Sequence, residues 1–185
     1  MDDLKKRLQK FGFLSVQSKI ELWLCYRDLK PVSAFPIMLD FKDSTEEQKK
    51  LLNWIDEAGL FCKKDVESRL YIVSKDVEQI NSLLPIVFGN KKEDIIAKCR
   101  LYGYPEETAL ATYRNFSTEK DGLPKGVGIK KDNSFGISWW PYVRYIVREG
   151  FEYEDSLVAK KWAETIKRDL PELDKEFEAL LAKVI

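Results

Sequence analysis

The spacing of apolar residues is the feature that most constrains the fold of this sequence. Near the start, Leu4, Leu8 and Phe11 share one helical face, and a similar stripe follows Pro171 at the other end. Between residues 36 and 74 the apolar runs are instead as short as β-strands. We therefore expect an α+β fold, in which a small, mostly antiparallel sheet over about residues 36–74 is packed by helices and the C-terminal half is helical.

One helix within this stretch has the strongest local signals. Residues 44–48, with the sequence Ser-Thr-Glu-Glu-Gln, offer a capping box. Leu51 and Ile55 then lie on one face, and Gly59 stands where a C-terminal glycine is expected. This pattern predicts a helix from about residue 45 to residue 58.

Strands are expected on both sides of that helix. The first is near residues 36–41, where Pro36 favours a strand start or an edge strand. Residues 60–62 and 70–73 predict two more strands, joined by the charged residues 63–69. Together these elements would make a β-α-β-β unit.

The remaining organisation is predicted from apolar periodicity and from turn residues. We expect two amphipathic helices at the start, over residues 3–11 and 16–28. Another helix should follow Ser74, which would be its N-cap. Further helices are expected over residues 91–101, from Pro105 to residue 116, from residue 154 onward and from Pro171 onward. Glycines and lysines predict a long irregular loop over 117–136. Residues 1–185 are expected to form one globular domain, with a helical N-terminal segment (1–30), an α+β core (36–116), that loop and a helical C-terminal part (137–185).

Histidine is absent from the sequence. Because histidine is the one side chain that titrates near neutrality without perturbation, its absence excludes Ser-His-Asp and Cys-His catalysis within this chain, and histidine-ligated zinc or haem iron. Cys25, Cys62 and Cys99 form no Cys-x-x-Cys pair, so we interpret them as reduced, packed thiols. We expect no cofactor and no metal site.

The charges of the sequence balance, since it holds 31 basic and 31 acidic residues. Zero net charge does not favour a nucleic-acid partner. The apolar runs are far shorter than the roughly 20 residues needed to cross a bilayer, and the N-terminal residues do not resemble a secretory signal. We expect a cytoplasmic protein without membrane contact.

A turn between two predicted helices is the first candidate site. Its candidate contact residues are Tyr102, Gly103, Tyr104, Pro105 and Glu106. We interpret the acidic residues after the proline as favourable charge at a helix start rather than as metal ligands. The same interpretation applies to the acidic group Glu149, Glu152, Glu154 and Asp155.

The glycine and lysine residues of the long loop are the second candidate. Lys125, Gly126, Gly128 and Lys130 combine the backbone amides and ammonium groups that can hold a phosphate. Their spacing fits neither a P-loop nor a dinucleotide-binding fingerprint. A flexible turn or hairpin tip is the favoured interpretation, and an anion site is the alternative.

An aromatic segment is the third candidate. Trp139, Trp140, Tyr142 and Arg144 lie close together, and two adjacent tryptophans cannot both face one core in an extended segment. Rings beside guanidinium groups suit stacking on a base, a sugar or a peptide. Core or helix packing within the protein explains the same residues and is the favoured interpretation, and a binding surface is the alternative.

The stretch from Arg69 to Phe116 carries a family resemblance. Its Leu-Tyr-Ile-Val-Ser-Lys-Asp run, a helix, and Leu-Tyr-Gly-Tyr-Pro before an amphipathic helix resemble the mainly archaeal family catalogued as domain of unknown function 483. The resemblance covers about residues 35–175. In that family cysteines often follow the Gly-aromatic-Pro turn, and a downstream segment is rich in His and Cys. Here Glu106, Glu107 and Thr108 follow the proline, so the resemblance implies a fold but no metal or redox chemistry.

Three functions remain open from the sequence. The leading hypothesis is a non-catalytic ligand-binding or protein-interaction domain that uses the Gly103 turn and the segment from Trp139 to Tyr145, with a protein partner or a small anionic ligand. The first alternative is an enzyme acting on a phosphorylated or nucleotide-like substrate, with Glu106 or Glu154 as base. The second alternative is an oligomer whose subunits bury the tryptophans between them.

Overall fold

The helices and strands follow one another in an α+β order. A computed structural model describes residues 2–36, 44–65, 70–116, 122–127 and 147–182. The helices are α1 (Asp2–Lys10), α2 (Val16–Tyr26), α3 (Ser44–Glu57), α4 (Val77–Leu83), α5 (Lys92–Leu101), α6 (Glu106–Phe116), α7 (Glu152–Asp169) and α8 (Pro171–Ala182). The strands are β1 (Val32–Pro36), β2 (Phe61–Asp65), β3 (Leu70–Ser74), β4 (Gly126–Val127) and β5 (Val147–Arg148).

The main sheet is antiparallel, with β3 in the centre and β1 and β2 at its edges. In its register, Ala34 and Lys63 lie on either side of Ile72. This arrangement confirms the predicted α+β class and the β-α-β-β order. Strand β1 begins at Val32, so the prediction that the first strand starts at Pro36 was wrong, whereas its predicted edge place is confirmed. A proline is tolerated there since it has no N–H to donate to a ladder. Residues 37–41 of the predicted strand lie outside the described residues.

Helix α2 differs most from its prediction as an amphipathic helix. It contacts β1 and β3 as well as α7 and α8, so almost every side chain from Val16 to Cys25 is buried. A helix enclosed on opposite sides has no solvent face, and even Lys19 and Glu21 are withdrawn from water. Around it lies an apolar core that includes Trp23, Trp54 and Trp162.

Several predicted boundaries also need correction. Ser74 does not cap α4; Asp76 does, because its carboxylate accepts a hydrogen bond from the backbone N of Glu78 at 2.9 Å. The predicted loop over 117–136 contains β4, which pairs with β5 as a second, two-stranded sheet. That pairing also places a strand inside the part predicted to be helical, and α7 begins at Glu152 rather than at Glu154.

None of the helices in the described ranges carries an apolar stretch that would allow it to cross a lipid bilayer.

Candidate functional site

The turn between α5 and α6 is built by a Schellman motif. The backbone N of Gly103 donates to the carbonyl of Arg100 at 3.0 Å, and that of Tyr104 donates to the carbonyl of Cys99 at 2.9 Å. Gly103 takes a φ of 72°, which glycine adopts without the strain of a Cβ atom. Pro105 follows and ends the turn, because its carbonyl accepts from Thr108 at 3.1 Å at the start of α6. The motif therefore fixes the directions in which Tyr102 and Tyr104 leave the backbone.

Both tyrosines pack around the ammonium group of Lys30. The Nζ atom lies 5.4 Å from the ring centroid of Tyr102, 5.5 Å from that of Tyr104 and 5.5 Å from that of Trp162. Such distances are typical of cation–π contacts, which strengthen as the cation loses its water. Lys30 is 3% exposed. These three rings form an aromatic cage around a buried cation.

A buried carboxylate balances the charge of Lys30. The Oε2 atom of Glu21 pairs with the ammonium group and also accepts a hydrogen bond from the hydroxyl of Ser33 at 2.7 Å. The indole N–H of Trp162 donates to the carbonyl of Leu29 at 3.1 Å, which ties α7 to the same loop. The pair and its cage thus join α2, β1, α7 and the Gly103 turn in one polar network.

A cavity lies beside the two tyrosines, and we call it the turn cavity. Its volume is about 290 Å³. Its lining combines apolar groups with a few polar ones, and consists of Val87, Asn90, Ile95, Lys98, Cys99, Tyr102, Tyr104 and Thr112. This mixture, apolar walls with a few convergent polar groups, is typical of small-molecule sites.

The titratable groups that line the turn cavity are protonated and can donate hydrogen bonds at neutral pH. Burial raises the pKa of Tyr102 to about 12, with a smaller contribution from the neighbouring Tyr104. Burial also raises the pKa of the Cys99 thiol. Lys98 donates from its ammonium group to the carbonyl of Gly89 at 2.6 Å, which holds the cation at the cavity. At neutral pH the lining therefore presents neutral hydroxyl and thiol groups together with a cation.

The other sequence candidates in the described residues lie apart from this cavity lining. Glu106 forms an ion pair with Arg100, and both side chains are largely exposed. Lys125 precedes β4, and its ammonium group lies 3.5 Å from a carboxylate oxygen of Glu149. Neither residue lines the turn cavity, although Glu106 follows the turn directly in sequence. Lys130, Trp139, Trp140, Tyr142 and Arg144 lie outside the described residues.

Asp155, one of the acidic residues near α7, has a structural role. Asp155 is buried, and one carboxylate oxygen accepts from the backbone N of Arg148 at 2.8 Å while the other accepts from its Nη2 at 2.7 Å. The guanidinium group also stacks on the ring of Phe151, 4.5 Å from its centroid. Within the described ranges, no three carboxylates or thiols come together in a way that could hold a metal ion.

Sequence reasoning missed the residues that organise this site. Lys30 lies between an Asp-Leu pair and a proline, a context typical of an exposed turn, and its partners Tyr102 and Trp162 are far along the chain. No local signal marks such a lysine as buried. Lys98 was also missed, although its position next to the apolar stripe of Ile95 and Cys99 is visible in the sequence.

No protein-family model matches the sequence, and neither a curated protein nor a solved structure matches it.

Proposed function

We propose that this chain is a non-catalytic binding domain and that a small molecule binds in the turn cavity. The observation that carries the proposal is that Tyr102 and Tyr104 line this cavity while Lys30 holds both rings in place. Rings that are already fixed lose little conformational freedom when a ligand packs against them, which favours affinity. A cavity of about 290 Å³ is at the small end of ligand sites, so it accommodates a ligand no larger than one or two rings.

The protonation of the lining supports binding rather than catalysis. A general acid or base works best with a pKa near the working pH, and a cysteine nucleophile must be a thiolate. Burial instead raises the pKa of Tyr102 to about 12 and raises that of Cys99. Both groups stay protonated at neutral pH, where they can orient a ligand through hydrogen bonds.

We also propose, from the sequence alone, that the aromatic segment from Trp139 to Tyr145 contributes to binding. If Trp139 and Trp140 contact the ligand or a partner, Trp139→Ala and Trp140→Ala weaken binding without a matching loss of stability. Variants that lose only stability and keep every detected ligand would remove the segment from the proposal.

A single variant tests the cavity directly. Thr112 lines the turn cavity from α6, and Thr112→Leu would fill part of its space with a larger apolar side chain. Ser82→Leu is the matched control. The hydroxyl of Ser82 donates to the carbonyl of Glu78 at 2.8 Å, as that of Thr112 does to Thr108 at 2.9 Å, but Ser82 is exposed and does not line the cavity.

Binding is measured with a library of one-ring and two-ring molecules by ¹H–¹⁵N NMR. We expect ligands to shift the amide signals of α5 and α6 around the turn cavity. Thr112→Leu should weaken binding by about ten-fold or more, whereas Ser82→Leu should leave it unchanged. The proposal is wrong if no molecule shifts those signals, or if Thr112→Leu binds as tightly as the unmodified chain.

A further inference from the structure

We infer that the ligand of the turn cavity is a flat aromatic anion, of the class of aromatic carboxylates. The inference rests on the proposed function, since it names the chemistry that the same cavity would select. Three features of the lining lead to it: an ammonium group that has no carboxylate partner among the described residues, two tyrosine rings held at a fixed angle, and a tyrosine hydroxyl that stays protonated.

The ammonium group of Lys98 carries the net charge of the lining. Its hydrogen bond to the carbonyl of Gly89 uses one of its three N–H donors. Across the described part of the chain, its Nζ atom has no salt bridge to a carboxylate. The other nearby cation, Lys30, is balanced by Glu21. An anion in the cavity would therefore gain a charge-assisted hydrogen bond without displacing an existing ion pair.

The two tyrosines select the shape of the ligand. Their ring centroids are 5.7 Å apart and their planes are inclined by 42°, so they form two adjoining aromatic walls. A flat ring can stack on one wall while it contacts the second, tilted ring at its side. The hydroxyl of Tyr102, with its pKa raised to about 12 by burial, remains a donor at neutral pH and suits an anionic acceptor.

The carboxylate of Asp94 lies near the ammonium group of Lys98 and provides a further test of the inference. Asp94 lies one helical turn before Lys98, and its side chain packs against Gly89, the residue whose carbonyl holds the ammonium group. Its negative charge lowers the affinity for an anion, although Asp94 does not line the cavity. Asp94→Asn should therefore strengthen the binding of an aromatic carboxylate and leave its neutral amide unchanged.

The experiment compares molecules of one shape and different charge. Benzoate and 2-naphthoate are titrated against benzamide, 2-naphthamide and benzylamine, with the amide signals of α5 and α6 as the readout. Lys98→Met removes the charge and keeps the length of the side chain. Lys92→Met is the control, because it removes an equal charge from an exposed position of the same helix that does not line the cavity.

We expect each carboxylate to bind about ten-fold more tightly than its amide and benzylamine to bind most weakly. Lys98→Met should abolish the preference, and Lys92→Met should preserve it. Amides that bind as tightly as the carboxylates, or a preference that survives Lys98→Met, would overturn the inference while the binding function stands. If none of these molecules shifts the cavity signals while other library members do, only the anion inference is overturned. If no molecule of either set shifts them, both fail.

Discussion

Gly103 lies so close to Pro31 that no side chain fits between them. A Cβ atom on Gly103 would come 2.7 Å from the Cδ atom of Pro31. Gly59 has a similar φ of 66° and ends α3 with the same Schellman hydrogen bonds, yet nothing lies within 4 Å of its Cβ position. The turn that carries the two cavity tyrosines is thus packed against the loop that carries Lys30.

This difference makes Gly103→Ala and Gly59→Ala a matched pair. Both introduce a Cβ atom at a positive φ, which costs about 1 kcal/mol. Gly103→Ala also overpacks the contact with Pro31, so we expect it to lower the free energy of unfolding by about 2–4 kcal/mol in total. Urea unfolding of both variants measures the difference. Equal losses would show that the close approach to Pro31 has no energetic weight.

The buried pair of Lys30 and Glu21 gives a second prediction. Lys30→Met leaves a carboxylate that is 4% exposed with the hydroxyl of Ser33 as a remaining donor, so we expect a loss of about 3–5 kcal/mol in the free energy of unfolding. Glu21→Gln should be milder, because the ammonium group keeps the faces of three aromatic rings.

The double variant provides the control for this prediction. With both charges removed, no unpaired ion remains in the core, so Glu21→Gln combined with Lys30→Met should lose less stability than the sum of the two single variants. Thermal or urea unfolding of the unmodified chain, the two single variants and the double variant measures the four free energies that this double-mutant cycle needs. Strictly additive losses, or a larger loss for Glu21→Gln than for Lys30→Met, would contradict this account of the cage.

Local signals made much of the fold predictable. Helix α3 is predicted from about residue 45 to 58 and spans Ser44–Glu57, because its apolar stripe and the hydrogen bonds that end it at Gly59 act within a few residues. The start of the first strand is not predicted correctly because a proline is compatible with either end of an edge strand, and the pairing of β1 depends on β3, which is distant in sequence. Helix α2 has an amphipathic pattern in the sequence, which does not reveal that neighbouring elements pack on its second side as well.

The candidate site was predictable only in part. The glycine and proline that mark the turn predict Tyr102 and Tyr104 as contact residues. The structure brings both to one cavity, while their contact with a ligand stays a prediction. Lys30 is not predictable as a site residue, because its burial depends on three rings that two distant parts of the chain supply. A charged residue that is buried by residues distant in sequence produces no periodic pattern around itself, so its burial cannot be predicted from the local sequence.

The salt bridge between Asp155 and Arg148 gives a third prediction. Both carboxylate oxygens of Asp155 are engaged by Arg148, which fastens β5 to the start of α7. We expect Asp155→Asn to lower the free energy of unfolding by about 3 kcal/mol, because the neutral amide keeps one acceptor oxygen but loses the buried charge that pairs with the largely buried guanidinium group of Arg148. Glu154→Gln removes an exposed charge from the same helical turn and should cost less than about 0.5 kcal/mol. Urea unfolding compares the two variants. Similar losses of stability for Asp155→Asn and Glu154→Gln would show that both acids act only through the helix dipole, and would contradict the prediction.

Alkaline pH should destabilise the fold through its buried thiols. Burial raises the pKa of Cys25 from 9.0 to about 12, so the folded chain keeps a proton that the unfolded chain releases. The stability from this group is fully present below about pH 9 and is lost as the pH rises toward 12, by up to about 1.4 kcal/mol per pH unit. Urea unfolding between about pH 8 and 10.5 should show this decline. Cys25→Ala should be less stable at neutral pH, but its free energy of unfolding should fall less steeply as the pH rises. An unchanged slope would show that Cys25 does not cause the decline.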